Sequence, residues 1–210
     1  MGVGGHDTLT GMRVPRTLGA LCGVVAPTCF VTAWFVGGLR AEDYQPLTDA
    51  ISDLAREGEP TRPLMTAGLV AFGVLLPVWA PVLGRHLGSA AVRNAAAVAG
   101  VATLAVALLP LTRQGDQAQD TWHAVAAGTG YLAMAATPLL AAGPLRRLGH
   151  ERAAATSVVV GALSAAALVG TTVFDDRSGG LQRLGLGVVD LWHVAAAVWV
   201  LRRPRSRVSG

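Results

Sequence analysis

The chain has 210 residues, 52% of them hydrophobic and only 14% charged, with a mean hydropathy of +0.47. Soluble domains carry about 25% charged residues, so a chain this short of charge cannot cover a globule with water-compatible surface, and lipid is its expected solvent. The formal charge of +4 and the isoelectric point near 10 do not describe a nucleic-acid footprint, because the 17 basic residues punctuate the apolar runs instead of gathering on one element. All of them are Arg, which together with the abundance of Ala, Gly and Val fits a GC-rich, bacterial genome.

Six apolar runs follow one another at 18–39, 64–83, 95–111, 123–145, 153–174 and 184–201. Each comes near the ~20 residues that cross a bilayer. They lack period-2 alternation and are rich in Ala and Leu, which excludes strands and predicts an all-α bundle of six transmembrane helices. Arg13 and Arg16 before the first run resemble the start of a signal peptide, but the run is too long and no A-x-A site follows, so the first helix is expected to be retained. Cys22 and Cys29, seven residues apart on that helix, would stand about 10 Å apart, beyond disulfide reach. The second run holds Pro77 and Pro81 and is expected to kink or end early. The division of the chain is then a cytoplasmic tail at 1–17, a membrane domain at 18–201 and a basic cytoplasmic tail at 202–210.

Arg placement sets the orientation. The termini and the second and fourth connections carry 11 Arg, whereas the first, third and fifth connections carry 6 Arg and ten of the acidic residues. Both termini are therefore expected in the cytoplasm, in a multi-pass protein of the cell (plasma) membrane.

Between the first two spans, residues 47–56 read as a short amphipathic helix in the first outer loop, with Leu47, Ile51, Leu54 and Ala55 on one side and Asp49, Ser52, Asp53 and Arg56 on the other. Small residues at four-residue spacing, Ala124 and Gly128 on the fourth span and Ser157, Gly161 and Ala165 on the fifth, read as close-packing faces. The pair Gly179–Gly180 reads as a turn before the last span, with Arg183 beyond it a candidate counter-ion. The pattern D-x-W-H occurs twice, at Asp120–His123 and, 70 residues later, at Asp190–His193.

Ionisable residues inside a span are costly and usually functional, which singles out Asp190 and His193. His123, at the outer mouth of the fourth span, could equally be an interfacial Trp–His pair. The polar face of the first loop could be no more than a solvated surface. If these groups converge, the candidate site has Ser52, Asp53 and Asp190 in catalytic roles and His123, His193 and Asp190 as metal ligands. No P-loop, H-E-x-x-H, G-x-S-x-G or CxxC motif is present.

Three pieces, Ile51-Ser-Asp-Leu54, His123 opening the fourth span and the stretch from Gly180-Leu-Gln-Arg183 to Trp192, resemble the uncharacterised bacterial six-span family catalogued as domain of unknown function 998. The resemblance implies a six-span membrane fold and no established reaction. The family is also distantly similar to membrane hydrolases related to ceramidases and progestin-type receptors, which implies Ser52, Asp53, His123 and His193 around a metal. The chain departs from that group in having six spans for seven and no clear H-x-x-x-H pair.

The expected function is thus that of a multi-pass membrane protein of undefined activity, such as a carrier, partner subunit or envelope factor. The alternatives are a zinc-assisted hydrolase acting on lipid at the outer leaflet and a haem protein with His123 and His193 as axial ligands. The bilayer is the expected partner, nucleic acid is not, and a homo-oligomer with unknown protein partners stays open.

Overall fold

The computed structural model describes residues 14–202; most of the N-terminal tail, with Arg13, and the C-terminal tail with Arg203, Arg205 and Arg207 lie outside the described residues. Among the described residues the chain is all-helical, and six helices are long and apolar enough to cross a membrane. They are α1 (Arg16–Arg40), α2 (Arg62–Leu87), α3 (Ala90–Leu108), α4 (Gln117–Arg147), α5 (Glu151–Gly170) and α6 (Ser178–Arg202).

Caps explain why the helices outrun the apolar runs. Asp116 accepts from the backbone N–H groups of Ala118 and Gln119 at 3.0 and 3.3 Å, which starts α4 six residues ahead of His123. Ser89 does the same for Val92 at the start of α3. The expected turn at Gly179–Gly180 is instead the first turn of α6. The glycines serve close approach rather than bending, because a Cβ on Gly179 would stand 2.9 Å from the Asp49 carbonyl carbon and one on Gly180 would stand 2.8 Å from Leu47. Nor does α2 end at its prolines. It runs through Pro77 and Pro81 to Leu87, with the Pro77 ring received where Gly100 of α3 has no side chain, and it stops at Gly88 in the left-handed region (φ 61°).

Each helix packs against its chain neighbours, α6 closes back on α1, and α2, α4 and α6 also touch across the middle. The result is a ring of six antiparallel neighbours. One end carries the start of α1, the end of α6 and the short connections at 88–89 and 148–150. The other carries the long loops at 41–61, 109–116 and 171–177. Trp79, Phe72, Leu76, Leu83 and Val189 fill the centre, while Leu39, Leu132, Leu191 and Val169 stand exposed on the perimeter. Large apolar side chains on both faces of a helix are the mark of a span bathed in lipid.

The loop at 41–61 folds over the ring at the long-loop end. Only Ile51–Ala55 is helical, as one 3₁₀ turn. The longer amphipathic helix does not form, because Asp49 accepts from the Gln45 N–H at 2.7 Å and the Thr48 hydroxyl at 2.9 Å, holding residues 45–49 in their own turn. Asp53 then caps the Ala50 N–H at 3.0 Å and starts the 3₁₀ turn there. Ile51, Leu54 and Ala55 are buried as the pattern predicts, but Leu47 is 59% exposed.

Candidate functional site

Beneath this loop lies a cavity of about 600 Å³. Its walls are the facing halves of α4 and α5, with Ser178 and Gln182 of α6 and with Ala50 and Ser52 from the loop above. A small extension, about 50 Å³, reaches inward toward Phe30, Met65 and Phe72. Ser52, His123, Ala127, Tyr131 and Gln182 line both spaces, so the two adjoin, and together they are called the chamber.

The chamber exists because of small residues. Gly161 brings α5 onto α4 so tightly that a Cβ there would stand 2.8 Å from the Ala135 carbonyl oxygen, as the spacing on α5 predicts. Toward the long-loop end the two helices diverge. There Ala124 is exposed, and a Cβ on Gly128 would meet nothing within 4 Å. The close-packing expectation fails for this pair, because the space beside it is chamber. The rim includes Leu132, 76% exposed, and Val169, 64% exposed, which place the opening on the perimeter between α4 and α5.

Thr103, Thr171, Thr172 and Ser178 line this largely apolar space with hydroxyls that donate to backbone carbonyls, and four further polar side chains stand in it. His123 Nδ1 lies 2.7 Å from the Leu109 carbonyl, one of the acceptors left over at the end of α3. A carbonyl can only accept, so in the neutral ring Nδ1 carries the proton and Nε2 keeps the lone pair. Gln182 joins three elements: its Oε1 accepts from the Ile51 N–H at 2.7 Å and its Nε2 donates to the Tyr131 hydroxyl. Tyr131 therefore has its own proton to give. Ser52 brings a second hydroxyl. The sequence does not single out Tyr131, because a neutral polar residue within a span reads as ordinary packing, or Gln182, because it falls in the connection before the run at 184–201. The signal was the amide itself, a group that needs partners wherever it is buried.

The loop is held down chiefly by Arg183. Its guanidinium donates to the carbonyls of Pro46 (2.7 Å), Asp49 (3.0 Å) and Gly179 (2.9 Å) and to the Tyr44 hydroxyl, and it lies over the rings of Trp34 and Tyr44. Its partners are carbonyls, the Tyr44 hydroxyl and aromatic faces, and among the described residues it forms no ion pair with a carboxylate, unlike the counter-ion expected from the sequence. Burial pushes the Tyr44 hydroxyl's pKa up, with Arg183 partly opposing the shift. The Ser178 hydroxyl donates to the Thr48 carbonyl and Gly180 N–H to the Leu47 carbonyl. Arg56 ties the other edge, donating to the Thr112 carbonyl at 3.1 Å and pairing with Asp53 at 2.6 Å.

The expected site residues thus fall in separate places. Ser52 and His123 share the chamber. Asp53, next to Ser52, caps Ala50 and pairs with Arg56 on the loop's polar side, beside Glu42, Asp49 and Glu59. Eleven residues beyond Gln182 on α6, His193 is buried against α2. That is about 16 Å along the axis. Its Nδ1 accepts from the Trp79 indole N–H at 3.3 Å. Asp190 lies between α6 and α1, 2% exposed, and neither carboxyl oxygen has a hydrogen-bond partner. Among the described residues no three His, Cys, Asp or Glu side chains are grouped so as to hold a metal ion.

A ring of six lipid-bathed helices, with one end roofed by a loop, defines a multi-pass membrane protein. The chain belongs to the family described as protein of unknown function, DUF998, which matches residues 24–199 and so covers all six helices at least in part. No curated protein and no solved structure matches it.

Proposed function

We propose that the protein binds a neutral, hydroxyl-bearing amphiphile drawn from the membrane into the chamber between α4, α5 and α6. The observation that carries this reading is the chamber's polarity: largely apolar walls whose Thr171, Thr172 and Ser178 hydroxyls donate to backbone carbonyls, a rim on the lipid-facing perimeter, and His123, Ser52, Tyr131 and Gln182 beneath the loop. A volume near 600 Å³ suits a small ligand or one acyl chain with its head group. Together His123 Nε2 as acceptor and the Tyr131 and Ser52 hydroxyls as donors match an alcohol, ester or amide. None of the chamber-lining side chains is an acid or an Arg, which favours a neutral head.

The bias of Arg toward the end with the termini supports an orientation with those termini in the cytoplasm of the plasma membrane, and the loop outside. The ligand would then come from the outer leaflet, and the protein would act as a carrier or receptor for it. The separation of His123 from His193 and Asp190 favours binding over zinc-assisted hydrolysis, in which Ser52, Asp53 and Asp190 would have to act together, and over a haem shared by the two histidines.

The test is native mass spectrometry of the detergent-purified protein with a monoacylglycerol and a fatty acid of equal chain length. Gly128→Leu puts a bulky side chain into the chamber at a position where a Cβ would meet nothing within 4 Å. The expected result is retention of the monoacylglycerol by the wild type, at least tenfold weaker in Gly128→Leu and in His123→Ala. Equal retention by the wild type and Gly128→Leu would end the proposal.

A further inference from the structure

A second opening lies on the opposite flank of α6, in the seam with α1. It measures about 310 Å³ and is lined by Pro27, Thr28, Val31 and Thr32 of α1 and by Gly187 and Asp190 of α6, among others. It shares no residue with the chamber. Its neighbour Leu191 is 69% exposed, which sets the groove on the perimeter. Asp190 is the single ionisable residue that lines it, and both of its oxygens are buried and without partners.

A carboxylate in hydrocarbon is stable only with a counter-charge or strong donors beside it. No Arg or His lines the groove, the Thr28 hydroxyl gives its proton to the Val24 carbonyl at 2.8 Å, and the Thr32 hydroxyl and the Trp34 indole N–H, which also line it, make no hydrogen bond to Asp190. The Thr28 hydroxyl keeps its lone pairs. The groove therefore has an unpartnered carboxyl just beneath its floor and a hydroxyl oxygen in an apolar slot, a set that lacks only a donor with a positive charge. An alkylammonium has three N–H donors for those oxygens and a chain for the slot. A neutral alcohol would leave the carboxylate uncompensated, and an anion would be repelled.

We infer that the groove between α1 and α6 is a binding site for a cationic amphiphile, a long-chain amine dissolved in the membrane, with Asp190 as its counter-ion. Gly187 admits the chain, because a Cβ there would meet nothing within 4 Å and leaves the slot open beside Asp190.

The experiment uses dicyclohexylcarbodiimide, a lipid-soluble reagent that modifies carboxyl groups in apolar surroundings, on the full chain in detergent, with Asp190 modification read by peptide mass mapping. Asp190 is expected to be labelled, and dodecylamine to cut the labelling at least fivefold while dodecanol at equal concentration leaves it unchanged. Gly187→Leu, which fills the slot without touching the chamber, is expected to abolish the amine's protection. A native-mass measurement of dodecylamine bound to the wild type and to Asp190→Asn gives an independent readout, with binding expected to fall at least tenfold in the variant. Equal protection by dodecanol, no labelling of Asp190, or unchanged amine binding in Asp190→Asn would each overturn the inference. Monoacylglycerol retention by Asp190→Asn, expected at the wild-type level, keeps the fate of this site distinct from that of the chamber.

Discussion

The two D-x-W-H segments spell the same pattern and do opposite things. On α4 the pattern sits in the first two turns, where the ends of other elements are within reach. Asp120 accepts from the backbone N–H and hydroxyl of Thr112 at 2.9 and 3.1 Å, Trp122 is 63% exposed, and His123 takes the Leu109 carbonyl at the end of α3 as its partner. On α6 the same letters fall mid-helix, where backbone groups are already used. Trp192 turns inward to the Ser157 hydroxyl at 2.8 Å, His193 meets Trp79, and Asp190 finds no partner. Depth in the bundle decides what an Asp–His pair becomes: a latch for a loop near the surface, and a set of demands on its surroundings in the middle.

Paired substitutions can break or sharpen that contrast. The largest effect is expected from His193→Ala, which empties a fully buried site and strands the Trp79 N–H; it should cost about 2–4 kcal/mol, read from unfolding in mixed micelles. His123→Ala, by contrast, should cost about 1 kcal/mol while removing monoacylglycerol retention. Equal losses of stability would mean the two histidines are both structural. Next, Asp190→Leu should raise stability by about 1–3 kcal/mol in amine-free detergent, because an unpartnered buried carboxyl is replaced by packing. Asp120→Ala should lower stability by about 1–2 kcal/mol as Thr112 loses its acceptor. Opposite signs are the prediction, and a destabilised Asp190→Leu would show that Asp190 has a partner in the protein. The smallest difference is expected between the tryptophans. Trp192→Phe loses an interhelical hydrogen bond worth about 0.6 kcal/mol, whereas exposed Trp122→Phe should stay within about 0.5 kcal/mol in the same assay.

Hydropathy made the six spans legible, since a bilayer asks only for length and apolar content, and the match to family DUF998 agrees with the resemblance carried by Ile51–Leu54, His123 and the approach to Trp192. What hydropathy cannot see is where polar residues extend a helix, so the capped start of α4 at Gln117 and the glycine-rich start of α6 at Ser178 were missed. The site was half legible. His123 and Ser52 stood out by residue type, but Ser52 and Asp53 are adjacent on a 3₁₀ turn and point about a third of a turn apart. Such divergence sends one to the chamber and the other to Arg56. The small residues at Ala124 and Gly128 obey the same spacing as Gly161, yet one face packs and the other leaves space. Only the splay of α4 from α5 separates the two cases, and that depends on the whole ring.

Closure of the ring has a consequence of its own. Because α6 packs on α1 and the Arg16 guanidinium donates to the Val200 carbonyl, the beginning and end of the membrane domain already touch. No helix in the circle is first or last in space. A covalent link between the two ends, with a new break at Gly88–Ser89, would yield a circular permutant that starts with α3, finishes with α2 and keeps every helix contact, the roof and both openings. Chain order in this fold is thus a matter of how the helices enter the bilayer, and the finished circle does not depend on it.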